Sequence, residues 1–405
     1  MSYDRKKDNN HFIYCIIDRL LGLFGCSSPS SAYNDDSTET TTKENVLVYK
    51  SSMELSYAKN FTVDYYEGGY KILTTKDGTK ILTVPENKDT PVGIDEDTIV
   101  LKEPISNLYL VSSGVMDMFD KIDAIDTLKF SSKEIDGWYI DGAKKAMESG
   151  ELIYAGKYSK PDYELLVSGS CMLAIENTMI NHTPEVMEML QSFEIPSVIE
   201  YSSYEDEPLG RMEWVKFFGA LTGKEEKAQE IFDEQKKMVD SVIEATNNQS
   251  NNTESDATQS IDTEHNTVAF FYITSNGLVQ VRKSTDYIPK MINLAGGKYI
   301  FDELTDTTTG NTTMSMQLED FYNGAVNADY LIYNSTIDGG VEDISQLIDK
   351  WPLLEDFKAV KNGNVWCTTN DMYQQSMSIG YMIDDIHSML IGADESDMKY
   401  LFKLK

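Results

Sequence analysis

The sequence predicts an α/β protein of two lobes joined by one long, rigid helix, and three observations predict it. Strand-like and helix-like patterns alternate up to residue 200, a charged helix of about six turns follows, and the alternation restarts at Thr267. Strands interleaved with helices build parallel or mixed sheets. With 405 residues, 41% of them hydrophobic, the chain is long enough for two ordinary cores.

The elements follow in order. From Tyr57 to Val84 aromatic and polar residues alternate, with turn signals at Gly68-Gly69 and Asp77-Gly78, which predicts a hairpin or meander. NLYLVS (107–112) is a short apolar run followed by helical spacing from Met116 to Ile122. LAIE (173–176) leads into a helix over 184–193, and SVIE (197–200) ends in a loop before Gly210. Between Lys224 and Thr246, Ala228, Ile231, Phe232, Met238, Val239, Val242 and Ile243 recur at helical spacing among charges, the mark of a long amphipathic helix. Residues 247–266 are polar and of low complexity, and are expected to form a flexible surface insertion. Strands are then predicted at 267–274, 330–333 and 364–368, and helices at 288–294, 344–348 and 379–390. The resulting division is a leader (1–26), a tether (27–43), a first lobe (44–223), the connecting helix (224–246), the insertion (247–266) and a second lobe (267–405).

Charge excludes some partners. The 67 acidic residues against 35 basic give a formal net charge of -32, which repels nucleic acid and anionic headgroups. Only four basic residues are arginines: Arg5, Arg19, Arg211 and Arg282. The cysteines at 15, 26, 171 and 367 have no metal-site or disulfide spacing, and Cys171 and Cys367 are read as buried thiols in strands. Histidines 11, 182, 265 and 387 form no i,i+4 pair, so no metal site is expected.

The first 26 residues run from a basic stretch (Arg5, Lys6, Lys7) through an apolar one (Phe12 to Phe24) to Leu23-Phe24-Gly25-Cys26, the order of parts in a secretory leader. That ending resembles a lipobox, with Cys26 as the lipidated residue, and the Ser/Thr/Asn/Asp-rich residues 27–43 fit a surface tether. Asp18 and Arg19 interrupt the apolar run, so a short amphipathic helix is the alternative reading. No later stretch approaches the ~20 apolar residues of a membrane span.

Several segments, in this order and spacing, resemble the class III periplasmic binding proteins: YAKNFTVDYYEGGYKIL (57–73), GKYSKPDYELL (156–166), PLGRMEW (208–214), INLAGGKYIF (292–301), ADYLIYN (328–334) and DFKAVKNGNVWCT (356–368). The resemblance covers residues 44–395. It implies an extracytoplasmic, lipid-anchored receptor of an ABC importer, a ligand cleft between the lobes and a small closing motion. It also implies a small metal chelate as cargo (ferric siderophore, haem or cobalamin, the siderophore placed first), ABC permease subunits as partners and a monomeric state. By position in the motifs, Glu164 and Glu319 resemble the surface glutamates that dock on the permease, and Tyr158 stands where the family places a cleft aromatic.

Ligands of open α/β sheets bind beyond the carboxyl ends of strands. That rule selects Asn177, Asn334 and loops carrying Arg211, Arg282 and Tyr373, with Trp138 and Tyr139 on the expected rim. One arginine per lobe would clamp an anionic chelate by paired hydrogen bonds, and aromatic rings would cover its flat faces. No nucleophile motif, phosphate loop or dinucleotide fingerprint is present, so neither catalysis nor a cofactor is expected. Two other functions remain open on sequence: a sensor or scavenger of the same fold without a permease, and a two-domain α/β transferase.

Overall fold

The computed structural model describes residues 45–252, 266–305 and 312–405. The chain enters through a five-stranded sheet in sequential order: β1 (Tyr49–Ser52), β2 (Phe61–Tyr66), β3 (Lys71–Thr75), β4 (Lys80–Val84) and β5 (Ile99–Lys102). The meander expected over 57–84 is β2 to β4, with Gly68, Gly69 and Gly78 at positive φ in its turns.

The first α/β alternation comprises β6 (Leu108–Leu110), α1 (Ser113–Lys121), β7 (Leu128–Ser131), α2 (Asp141–Ser149), β8 (Ile153–Tyr154), the small hairpin β9 (Gly156–Lys157) and β10 (Lys160–Pro161), α3 (Tyr163–Ser168), β11 (Ala174–Asn177), α4 (Pro184–Ser192) and β12 (Ser197–Glu200). Its sheet has the order β12-β11-β6-β7-β8, every pair parallel. Leu108, Leu110 and Ile175 face the main core, whereas Tyr109, Val111 and Ala174 face a smaller one under α3 and α4. That is the alternation a strand covered on both sides requires.

α5 (Pro208–Thr222) is buried along its length except at Arg211 and Thr222. Two of its neighbouring contacts hold the entry segment. Glu213 accepts from the backbone N–H groups of Ser56, Tyr57 and Ala58 (2.8–3.1 Å) and from Lys216 Nζ (3.0 Å). Glu205 accepts from Lys59 N, Asn60 N and Trp214 Nε1. Residues 56–60 have no strand partner, so these two buried carboxylates satisfy donors that would otherwise be orphaned.

α6 (Glu225–Asn252) rises for about 42 Å at 1.5 Å per residue. Ala228, Phe232, Gln235, Val239 and Val242 are its buried stripe, spaced by fours and threes as one helix face must be. At Gly219 a Cβ would stand 2.6 Å from Ala228 Cβ, so glycine permits the close approach of α5 to α6. The expected low-complexity insertion begins later than predicted: residues 247–252 continue the helix. No Gly or Pro interrupts the i→i−4 ladder there. The remainder, 253–265, lies outside the described residues.

The second alternation comprises β13 (Thr267–Ile273), β14 (Val279–Arg282), α7 (Tyr287–Leu294), β15 (Lys298–Tyr299), β16 (Thr313–Met316), α8 (Leu318–Ala325), β17 (Tyr330–Tyr333), α9 (Ile344–Lys350), α10 (Lys358–Lys361), β18 (Val365–Thr368), α11 (Ile379–Ile391) and β19 (Leu401–Lys403). Its sheet runs β16-β14-β13-β17-β18-β19, with β15 also on β13. The central β13-β17-β18 ladder is parallel and the outer pairs are antiparallel. One face covers its own core of Phe271, Phe321, Tyr333 and Phe357. The other shares the main core with α6, α7 and α11 through Val268, Phe270 and Ile332. Cys367 is buried in β18, as expected, whereas Cys171 precedes β11 rather than lying in a strand. Among the described residues no helix is long and apolar enough to cross a membrane.

Candidate functional site

In the sheet of the first α/β alternation the chain leaves β6 toward β7 and β8, then returns to β11 on the opposite side, so strand order reverses between β6 and β11. The crevice beyond that reversal is where an open α/β sheet takes a ligand. Beyond β6 stands Ser112, at the end of β11 Asn177, and at the end of β12 Glu200. Glu200 is 2% exposed and accepts from Ser202 N (2.8 Å) and Ser202 Oγ (2.5 Å). Burial raises its carboxyl pKa, while the Ser202 and Ser112 hydrogen bonds and the Arg211 charge oppose that rise.

Arg211, on the first turn of α5, donates from Nη2 to Ser203 O (2.5 Å), and its Nε is buried with no partner. The guanidinium carbon lies 3.9 Å from the centre of the Tyr287 ring, and Tyr287 opens α7 in the second α/β half. Beside this stack Lys290 reaches across to Glu207 (2.9 Å). Arg282, at the end of β14, donates to the Tyr373 hydroxyl, stands 3.5 Å from Asp286, and has the Tyr373 ring 5.3 Å from its guanidinium. Its backbone exchanges hydrogen bonds with the Tyr299 hydroxyl. Asn334 donates from Nδ2 to the same Tyr373 hydroxyl (3.0 Å) and accepts from Thr336 Oγ1 (2.6 Å). Burial raises the phenol pKa values of Tyr287 and Tyr373, against the opposing charges of Arg211 and Arg282 on Tyr287 and of Arg282 on Tyr373.

Four of the residues selected on sequence, Arg211, Arg282, Asn334 and Tyr373, therefore fall in one polar cluster contributed by both α/β halves. The others fall elsewhere. Asn177 caps the turn that follows it, accepting from Met179 N (2.9 Å). Tyr158 sits at the β9–β10 turn, packed against the core under α3. Tyr139 is exposed, and its backbone N–H bonds Gln374. Trp138, expected on the rim, is 1% exposed and packs in the main core, because the loop carrying it turns the indole inward before α2. Glu164 and Glu319 are both exposed on the first turns of α3 and α8. Cys26 lies outside the described residues.

Sequence reasoning missed Tyr287, Asp286 and Glu200. Asp286 caps α7 by accepting from Ile288 N (2.9 Å), so a helix-start signal in DYIPK could have flagged it; strand ends alone could not. No group of three or more His, Cys, Asp or Glu is placed to hold a metal among the described residues, and His182 is exposed on a turn. Cavities of 790 Å³ (around Asp120, Lys129 and Gly142) and 610 Å³ (around Tyr65, Tyr70 and Lys71) lie away from the crevice. Both mix lysines with carboxylates and converge on no single ligand chemistry, so the crevice is the stronger candidate.

No family model matches the chain. Two uncharacterized lipoproteins of Methanocaldococcus jannaschii are each 26% identical to it, over 392 and 374 residues; the matches span 89% and 86% of this chain and 87% and 86% of theirs. Among solved structures, a periplasmic binding protein from Veillonella parvula aligns with TM-score 0.54 at 17% identity, covering 72% of this chain and 93% of its own. A periplasmic heme binding protein from Pseudomonas aeruginosa aligns with TM-score 0.52 at 11% identity (73% and 95%). A possible iron-binding periplasmic solute-binding protein from Staphylococcus epidermidis aligns with TM-score 0.51 at 16% identity (70% and 97%). At these identities the likeness is one of fold.

Proposed function

We propose that this chain, which has the two-lobed fold of the class III periplasmic binding proteins, is the extracytoplasmic solute receptor of an ABC importer. Its cargo is a small anionic metal chelate, with ferric siderophores first among the candidates. The observation that carries this reading is the convergence of Arg211 and Arg282, from opposite α/β halves, on one cluster with Tyr287, Tyr373 and Asn334. In a protein of net charge -32, two guanidiniums that both act on the Tyr287 phenol bring local positive charge suited to carboxylate or catecholate oxygens. Solved structures of this fold include a heme binding protein and a siderophore binding protein bound to acinetobactin and ferric iron, which supports the cargo class.

The metal in this reading is part of the cargo, held by its chelator. In this reading the receptor hands its ligand on unchanged. Glu164 and Glu319, exposed at the starts of two short helices, are the contacts offered to arginines of the permease, where charge pairing raises association rate and specificity. The naming of both archaeal relatives as lipoproteins supports an anchor at Cys26.

The test is a titration of the protein with ferric catecholate and hydroxamate siderophores, haem and cobalamin, followed by tryptophan fluorescence and thermal melting. A saturable signal with one chelate that also raises the melting temperature, as linkage requires, and that Arg211→Ala and Arg282→Ala each weaken, supports the reading. Flat responses to all four classes count against it.

A further inference from the structure

Residues 371–378 connect two chemically distinct places. Tyr373 faces the ligand cluster, where its hydroxyl takes hydrogen bonds from Arg282 and Asn334. The residues that follow face the first α/β half. Gln374 Oε1 accepts from Tyr139 N and its Nε2 donates to Gly137 O, both at 2.9 Å. Ser376 Oγ donates to Gly114 O (2.6 Å), and Met377 N donates to Asp117 Oδ2 (2.7 Å). Asp117 is fully buried and Gln374 nearly so, at 8% exposed, which makes these bonds costly to lose. The Met377 side chain is sunk in the main core, and the turn carrying it packs against α1, α5 and α6.

The segment is also stiff. Gln374 N and Gln375 N both donate to Asp371 O, closing a tight turn around Tyr373. On its other side it packs on Gly114, in the first turn of α1, where a Cβ would be in ordinary contact with it, 3.4 Å from Tyr373 O and 3.7 Å from Ser376 Cβ. A shift of the first α/β half relative to the second therefore has to move Tyr373, or break four hydrogen bonds at once.

We propose that Gln374 and Asp117 form an interlobe clasp that positions Tyr373, and through it Arg282 and Asn334, so that the second lobe's ligand groups are in register only while the lobes are clasped. The ligand half of this statement rests on the receptor reading above; the clasp itself does not. Gln374 acts here as a positioning residue, touching no ligand.

Hydrogen exchange of individual backbone amides tests the clasp in the whole protein. In Gln374→Ala the Tyr139 amide loses its acceptor, and cooperative opening predicts that the Met377 amide, bonded to a different side chain, also exchanges about tenfold faster. Amides of β11 and β17 should keep their rates, showing that the fold is intact. Asp117→Asn retains an acceptor for Met377 and should keep both amides protected, whereas Asp117→Ala should release both. If Tyr139 alone accelerates in Gln374→Ala, the contacts are independent and the clasp is refuted. With a chelate that the wild-type protein binds, Gln374→Ala should weaken affinity about tenfold; unchanged affinity refutes the positioning role. If the wild-type protein binds no chelate, the receptor reading fails and exchange alone decides the clasp.

Discussion

The Arg211 guanidinium lies 3.9 Å from the centre of the Tyr287 ring, closing a cation–π stack between α5 in one half of the molecule and α7 in the other. Tyr287 is 8% exposed, so the stack is largely desolvated, where such contacts are worth up to about 2 kcal/mol. Arg211→Ala and Tyr287→Ala should each destabilise the protein, and the double variant should show a coupling energy of about 1 kcal/mol in a denaturant-unfolding cycle. Arg211→Lys should retain only part of it, because an ammonium lacks the planar face that stacks.

Glu176, in β11, is fully buried and neither carboxyl oxygen has a hydrogen-bond partner. Burial pushes its pKa up to about 8, against roughly 4.3 in an unfolded chain. The folded state therefore holds a proton that the unfolded state releases. The stability linked to that proton is complete below the unfolded value and is lost as pH rises through 8. Glu176→Gln, which cannot ionise, should flatten the decline of melting temperature between about pH 5 and 8 and should exceed wild-type stability at about pH 9. A decline as steep in the variant as in the wild type would place the titrating group elsewhere.

Glu213 satisfies three backbone donors and the Lys216 ammonium inside the core. Removing one member of such a set leaves the others buried and unpaired, at a cost of about 3–5 kcal/mol. Glu213→Ala should lower the urea midpoint accordingly, and restoring the ammonium balance with Lys216→Met should recover part of the loss.

Glu164 and Glu319 are exposed on α3 and α8, outside the contacts that build the cluster around Tyr373. Glu164→Ala combined with Glu319→Ala should leave chelate affinity within about twofold of wild type. Uptake into cells carrying the cognate permease should fall sharply. Wild-type uptake by the double variant would favour a receptor that works without a permease.

Much of the architecture is legible in the sequence. The strands at 108–110, 174–177, 197–200, 330–333 and 365–368 lie inside or within one residue of the runs that predicted them, because short β-branched and aromatic segments bounded by turns are a local signal. The helix beginning at Glu225 was equally legible, its buried stripe recurring against charges. α5 was not: apolar on nearly every side, it offers no periodic contrast, and its helical state follows from being enclosed. For the same reason Trp138 could not be assigned by pattern, since a loop tryptophan before a helix turns inward or outward according to what packs above it.

The sequence by itself determined the α/β class, the doubled alternation about one long helix, the strongly acidic net charge, and the scarcity of arginine that singled out Arg211 and Arg282. Only the tertiary structure decided that these two residues, 71 positions apart, share one cluster in which both charges act on the Tyr287 phenol. It alone decided that Glu205 and Glu213 bind the backbone of residues 56–60, and that Gln374 bridges to a loop 235 residues away. Such pairings depend on sheet order and helix packing, where side chains distant in the chain meet because burial of both cores brings their elements together. Periodicity records which face of an element is buried, and leaves open what it is buried against.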